Sequence, residues 1–512
     1  VNLLLLSMPD SFEHMPTIAV RMPNGALASL AGNVDPHHQV AVADLVLAQS
    51  HVRDTIERLV RERQPDVVGM SVMTFQRGTA LRIARLIKSL RPLTHIVVGG
   101  YDPSLAPQAY EPWPEVQFIV RGEGEQTLCE LLRALEAHRP LDAIPGLTHR
   151  TPSGLVHNPD RPIARLAANP IRLPNRSSRV LDGYTLLGRQ VDVVETSRGC
   201  TYDCSFCSII EMRGRNFHAY PIERVLADIA DARSRGARAI FLVDDNITLD
   251  VSRFKALCEA IVDAGFNDVD YVVQAMTAPL AQHGSTLAPL MRQAHFRYVF
   301  LGIENVLEED LDFLRARAKN RRRGQRAGNG HRKGDAPTQS AAAEAIAHLH
   351  RHGLFVVGGL IVGNPADTRE SIEANLDFVR RHVDWPYIQH PTPYPGTPMT
   401  RQFQERGLIV DEDVSHYDGT TAVVRSEHLS ALDIEFLRWR SDRWMKLRHM
   451  PAAFAHSPLF VLRHAVGMLT HTFTGTGLRS MLGLESEQAV FRRYRAARRR
   501  EREYTLDAGV PS

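Results

Sequence analysis

At 512 residues the chain exceeds what one hydrophobic core sustains, and two or three domains are expected. Its 61 basic and 58 acidic residues leave a net charge of +3, a balance that argues against nucleic acid as the default partner. Five cysteines, three of them between positions 200 and 207, exclude a disulfide framework, and no stretch reaches the roughly 18 apolar residues of a membrane span.

The opening run, 1–6, has no basic leader or cleavage site and is expected to be a first strand, not a secretory signal. Further strands are predicted at 39–45, 66–72, 95–100 and 116–120, with helices around 26–31, 51–63, 78–90 and 126–137 between them. That alternation predicts a doubly wound, Rossmann-like α/β domain over 1–140. Ligands of such sheets bind beyond the carboxyl ends of the strands, where the chain places Ser71 and Thr74, then Gly99 and Gly100, then Gly122, Glu123 and Gly124. Any one of these is explained by a tight strand-to-helix turn. Three in succession point to backbone approached closely by a large flat or chain-like ligand.

Residues 141–190 are rich in Pro, Arg and Asn and read as a linker. From 191 to 400 strand and helix units repeat, which predicts a (β/α) partial TIM barrel with its site at the carboxyl ends of the strands. Directly after its first strand stand Cys200, Cys204 and Cys207, spaced C-x3-C-x2-C. A lone trio of thiolates suits a [4Fe-4S] cluster with one iron left open, since clusters of electron carriers normally take four cysteines. The alternative, zinc completed by a histidine such as His218, lacks the second C-x2-C element usual in zinc ribbons. Cys129 and Cys258 read as small buried hydrophobes on helices.

The cysteine loop after a barrel-opening strand, with the runs Asp244, Asp245, Asn246 and Gly302, Ile303, Glu304 and the segment 358–365 at later strand ends, resembles the radical S-adenosylmethionine (SAM) superfamily. The resemblance implies that the open iron chelates SAM and that an electron from the cluster breaks its sulfonium C–S bond, giving methionine and a 5′-deoxyadenosyl radical. It also implies SAM contacts at Phe206, Asp245, Glu304, Ile361 and Gly363. For Asp245 a helix-capping role stands equally open, because Asp is favoured where a strand turns into a helix.

The front domain is similar to the cobalamin-binding domain of the cobalamin-dependent branch, which would make Ser71, Thr74, Gly99, Gly100, Gly122, Glu123 and Gly124 cobalamin contacts. The loop 7–14, ending at His14, departs from the Asp-x-His-x-x-Gly pattern that supplies a cobalt ligand in many cobalamin domains. Asp35 and His37 begin such a pattern, but ahead of the second strand. No cobalt-ligating histidine is assigned, and the resemblance identifies no catalytic side chain.

The expected activity is cobalamin-dependent methyl transfer to an unactivated carbon of a small-molecule or lipid-like substrate, fed by an external low-potential electron donor in a reducing cytoplasm. Radical cyclisation or ring rearrangement, as in the anaerobic magnesium-protoporphyrin cyclase, is the alternative, and a non-catalytic cobalamin or iron–sulfur sensor a third. A methylthiotransferase for tRNA would need more cysteines than Cys129 and Cys258 supply. The basic run 315–333 reads as a solvated loop, and 401–512 as a mainly helical region whose apolar stripe at 460–469 belongs to the core. Peripheral contact of that stripe with an anionic membrane is the minor reading.

Overall fold

The computed structural model describes residues 1–12, 17, 19–163, 166, 171–320, 341–469, 483–500, 504 and 506. In chain order the strands are β1 (Asn2–Ser7), β2 (Val20–Arg21), β3 (Gln39–Asp44), β4 (Val67–Ser71), β5 (His95–Gly99), β6 (Phe118–Val120), β7 (Leu147–Thr151), β8 (Gly154–His157), β9 (Thr185–Leu186) and β10 (Arg189–Val194). They continue with β11 (Ser197–Arg198), β12 (His218–Ala219), β13 (Ala239–Leu242), β14 (Asp270–Met276), β15 (Phe296–Glu304), β16 (Phe355–Ile361) and β17 (Trp385–Gln389).

The first sheet has the order β3-β1-β4-β5-β6-β7-β8, parallel through β6. Period-two alternation sends Leu4 and Leu6 to one face and Leu3 and Leu5 to the other. Helices Val52–Arg63 and Arg77–Leu90 cover the first face, and Gly25–Asn33 and Gly124–Glu136 the second. The expected linker is partly sheet: β7 and β8 form an antiparallel hairpin on the edge of this domain. Its turn, Pro152-Ser153, leads into Gly154 at φ 120°, a hairpin signal hidden within the Pro- and Arg-rich composition.

The second sheet has the order β17-β16-β15-β14-β13-β10-β9-β2, and β10, β13, β14, β15, β16 and β17 run parallel in sequence order. This is the curled sheet of a half-barrel, its convex face buried under helices that include Ile222–Ser234, Val251–Asp263, Thr277–Gln293 and Arg369–His382. The two units are stitched together. β2, from the first, pairs with β9 on the edge of the second sheet, and the Tyr184 hydroxyl donates to Asp44 at 2.7 Å.

Beyond 401 the helices are Ala431–His456, Pro458–Leu469 and Glu487–Arg500. Within the apolar stripe Phe460 and Val461 are buried, while the neighbouring Leu459 and Leu462 are 82% and 63% exposed. No helix among the described residues is long and apolar enough to cross a membrane.

Candidate functional site

Parallel sheets open a crevice at the carboxyl edges of their strands, and here the two sheets bring those edges to one cavity of about 380 Å³. Ser71, Gly99, Gly100, Gly122, Glu123 and Gly124 line it from the first sheet. Glu195, Arg198, Arg213, Val243 and Asp245 line it from the half-barrel. Thr74 does not reach the cavity: the chain turns into the short helix Thr74–Gln76 and buries it. Gly100 stands at φ 105°, and a Cβ there would come within 2.9 Å of the Val72 carbonyl, so the turn admits only glycine. Asn24 caps the helix at the cavity wall, accepting from the Ala26 N–H at 3.1 Å and donating to Ser71 Oγ at 3.2 Å.

One arginine joins the two units at this wall. Arg198, 5% exposed, donates to Glu125 Oε1 at 2.6 Å and Glu195 Oε2 at 2.8 Å, with Glu123 at 3.4 Å. Burial would raise the Glu125 carboxyl, but the Arg198 charge and hydrogen bonds from Arg198 and Ser29 bring it down to about 2. Arg198 stands two positions before Cys200, so the same contact that closes the domain seam anchors the start of the cysteine loop.

The Asp244–Asn246 run braces the rest of that loop. Asp244 accepts from the Thr196 N–H at 2.6 Å and from the Thr196 and Ser197 hydroxyls at 2.5 Å each; burial pushes its carboxyl up to about 6. Asp245 accepts from the Gly199 N–H at 2.7 Å and from Arg213 at 3.0 Å. It caps no helix, because Asp250 caps Val251–Asp263 by accepting from the Arg253 N–H. Asn246 points its amide at Cys200 Sγ, 3.6 Å away, and Met276 Sδ, 3.1 Å away.

Cys200 and Cys204 are buried and Cys207 half-buried. Burial raises the Cys204 thiol to about 11 and Cys207 to about 12, against the lowering effect of Lys319. Glu304 ends β15 at a register shift with φ 63°, and its carboxylate accepts from Lys319 Nζ at 3.0 Å. The same ammonium lies 5.5 Å from the centre of the Phe206 ring. Ile361 packs in the cluster that contains Cys204 and Met399.

Phe206, Glu304 and Ile361 therefore gather at the cysteines. At Gly363, φ 104°, a Cβ would meet Ile434 at 2.8 Å, and its absence admits the helix Ala431–His456. Lys319 and Arg198 were not among the residues predicted from sequence. Lys319 belongs to the run read as a solvated loop, and the structure instead half-buries it against Glu304; 321–340 lie outside the described residues.

The donor set fits a cluster better than a single ion. A tetrahedral zinc with Zn–S near 2.3 Å holds its sulfurs roughly 3.8 Å apart. Among the described residues the trio of donors within 4.8 Å of one another is Asp35, His37 and His38, so the cysteine sulfurs are spread wider than that. His218 is instead paired with Arg198 across the β11–β12 ladder. Asp35 is held by Arg133 at the amino end of β3, the wrong end of the sheet for the cavity, and His14 lies outside the described residues.

The B12 binding domain model matches residues 15–132, and the Radical SAM superfamily model matches residues 194–379. The uncharacterized methyltransferase PH0819 of Pyrococcus horikoshii is 26% identical over 440 residues, covering 85% of this chain and 90% of that protein. The anaerobic magnesium-protoporphyrin IX monomethyl ester cyclase of Rubrivivax gelatinosus is 25% identical over 442 residues, with coverages of 83% and 74%. The radical S-adenosylmethionine methyltransferase TsrM of Kitasatospora setae, solved with cobalamin and a [4Fe-4S] cluster bound, superposes with a TM-score of 0.62 at 20% identity, over 79% of this chain and 75% of that one.

Proposed function

We propose, from the premise that the chain belongs to the cobalamin-dependent radical SAM methyltransferase family, that it methylates an unactivated carbon of a small-molecule or lipid-like substrate. The observation that carries this reading is the shared cavity: the carboxyl edge of the first sheet faces, across it, Arg198 and Arg213, which flank the cysteine loop on either side. Ser71, Gly99, Gly100, Gly122, Glu123 and Gly124 cradle cobalamin, and Cys200, Cys204 and Cys207 hold the cluster. Phe206, Asp245, Glu304 and Ile361 border the SAM position.

When bound, the cluster supplies the electron for SAM cleavage and cobalamin serves as methyl carrier. The chain's own part is positional. Arg198 fixes the seam between the units, Asp244 and Asp245 hold the loop that presents the thiolates, and Lys319 places a positive charge beside them. An external low-potential donor completes the system.

The cyclase among the relatives favours radical cyclisation as the second reading. Product analysis separates the two. Methyl transfer releases S-adenosylhomocysteine in step with product, whereas 5′-deoxyadenosine without S-adenosylhomocysteine overturns the methyltransferase reading.

A further inference from the structure

In-register parallel strands turn equivalent side chains to the same face, so the concave face of the half-barrel can be read row by row. Gln274, Phe300 and Val357 form one row across β14, β15 and β16; Gly302, Gly359 and Tyr387 form the next toward the carboxyl ends. The alternate residues Val273, Val299 and Val356 are 0% exposed beneath the helices. Gln274, in the middle of a central strand, is nonetheless exposed, and Phe300, Val357 and Tyr387 are half-buried. Interior strand positions that keep accessible surface enclose open space.

The floor of this hollow is aromatic. A Cβ on Gly359 would come within 3.0 Å of the Phe300 ring, and Phe300 meets Tyr387 edge-on with centroids 5.0 Å apart. Gly302 leaves room on the other side, where a Cβ would fall 2.9 Å from Glu304 Oε1. The acid beside the cysteines thus borders the apolar floor. Neither row carries a charged side chain, and at the border Glu304 and Lys319 neutralise each other, so an ion seated on Phe300 and Tyr387 would lose its hydration with no charged side chain of either row to replace it.

We infer that this hollow takes an uncharged, predominantly apolar acceptor, a ring system or hydrocarbon body, resting on Phe300 and Tyr387 with the Gln274 amide as its polar contact. The inference rests on the proposed methyl transfer, whose acceptor it specifies. The test uses the full chain, anaerobically reconstituted, with 1-pyrenemethanol and 1-pyrenesulfonate as fluorescent probes of one shape and different charge. The neutral probe is expected to bind at least about tenfold tighter than the anion, and Gln274→Glu to weaken it by about tenfold. Gln274→Leu, which removes the amide contact without adding a charge, should weaken binding of the neutral probe too, but less than Gln274→Glu does. Leu459→Ser, on the outer surface, should change nothing.

Equal affinity for the two probes, or indifference to Gln274→Glu, overturns the inference. S-adenosylhomocysteine release from the same preparations keeps the two readings apart. Failure of the neutral probe to bind while S-adenosylhomocysteine still forms removes the hollow's assignment alone. Probe binding without S-adenosylhomocysteine removes the methyltransferase reading alone.

Discussion

The cavity between the two units is lined, on the half-barrel side, at the carboxyl ends of β10 and β13, whereas the hollow lies on β14 to β17, and their walls are opposite in character. Glu123, Glu125, Glu195 and Asp245 meet Arg198 and Arg213 at the first, each charge within reach of an opposite one. The second presents Phe300, Val357 and Tyr387 with an amide. Charge is thus concentrated where the two units meet and the loop is fixed, and absent from the hollow proposed for the acceptor. A barrel with one continuous polar lining could not offer both environments.

The largest expected effect concerns the loop that joins the two regions. Cys204→Ala should abolish the cluster's absorption and reduce SAM cleavage by more than about 100-fold, since losing an outer-shell partner alone costs roughly 10–100-fold at a metal site. Retention of the cluster in that variant would move the ligand set elsewhere.

Next comes the seam. Arg198→Met leaves three carboxylates without their cation and should destabilise the chain by about 3–5 kcal/mol in urea unfolding. Adding Glu125→Gln should recover part of that loss; strict additivity of the two changes would show that they do not interact. Asp245→Asn keeps an acceptor for the Gly199 N–H but removes the charge facing Arg213. Cluster retention should fall by roughly tenfold, less than for the cysteine.

The smallest effect is a pH dependence. Glu125 is lowered from an ordinary 4.5 to about 2, so its stabilisation is complete above pH 4.5 and is lost as pH falls through 2. Unfolding measured on Glu125→Gln and the parent should therefore differ by a constant amount between pH 7 and 5 and converge below pH 4. Convergence already at pH 6 would contradict the paired state.

What the sequence shows follows from how local each signal is. Leu3 to Leu6 reads as a strand buried on both faces because alternate leucines must each find a helix, and they do. The cysteine spacing and the small residues at successive strand ends are equally local, and of the latter all but Thr74 line the cavity. Arg198 was legible only as a residue beside a cysteine. Its partners are 73 and 75 positions away in the other unit, a pairing no periodicity announces. The packing role of Gly363 was not legible, because a glycine after a strand serves a cofactor or a neighbouring helix equally well in sequence, and Ile434 is 71 positions away. Lys319 was hidden by the arginines that follow it, since a basic run looks solvated until one member finds Glu304.

Whether cobalamin and the cluster work together in methyl transfer is read out by S-adenosylhomocysteine. The full chain is reconstituted with iron and sulfide, reduced, and supplied with SAM with and without cobalamin. At least about one equivalent of S-adenosylhomocysteine per protein is expected when cobalamin is present and none without it, matching a carrier that takes the methyl group first. Formation of 5′-deoxyadenosine alone, unchanged by cobalamin, would refute that cooperation.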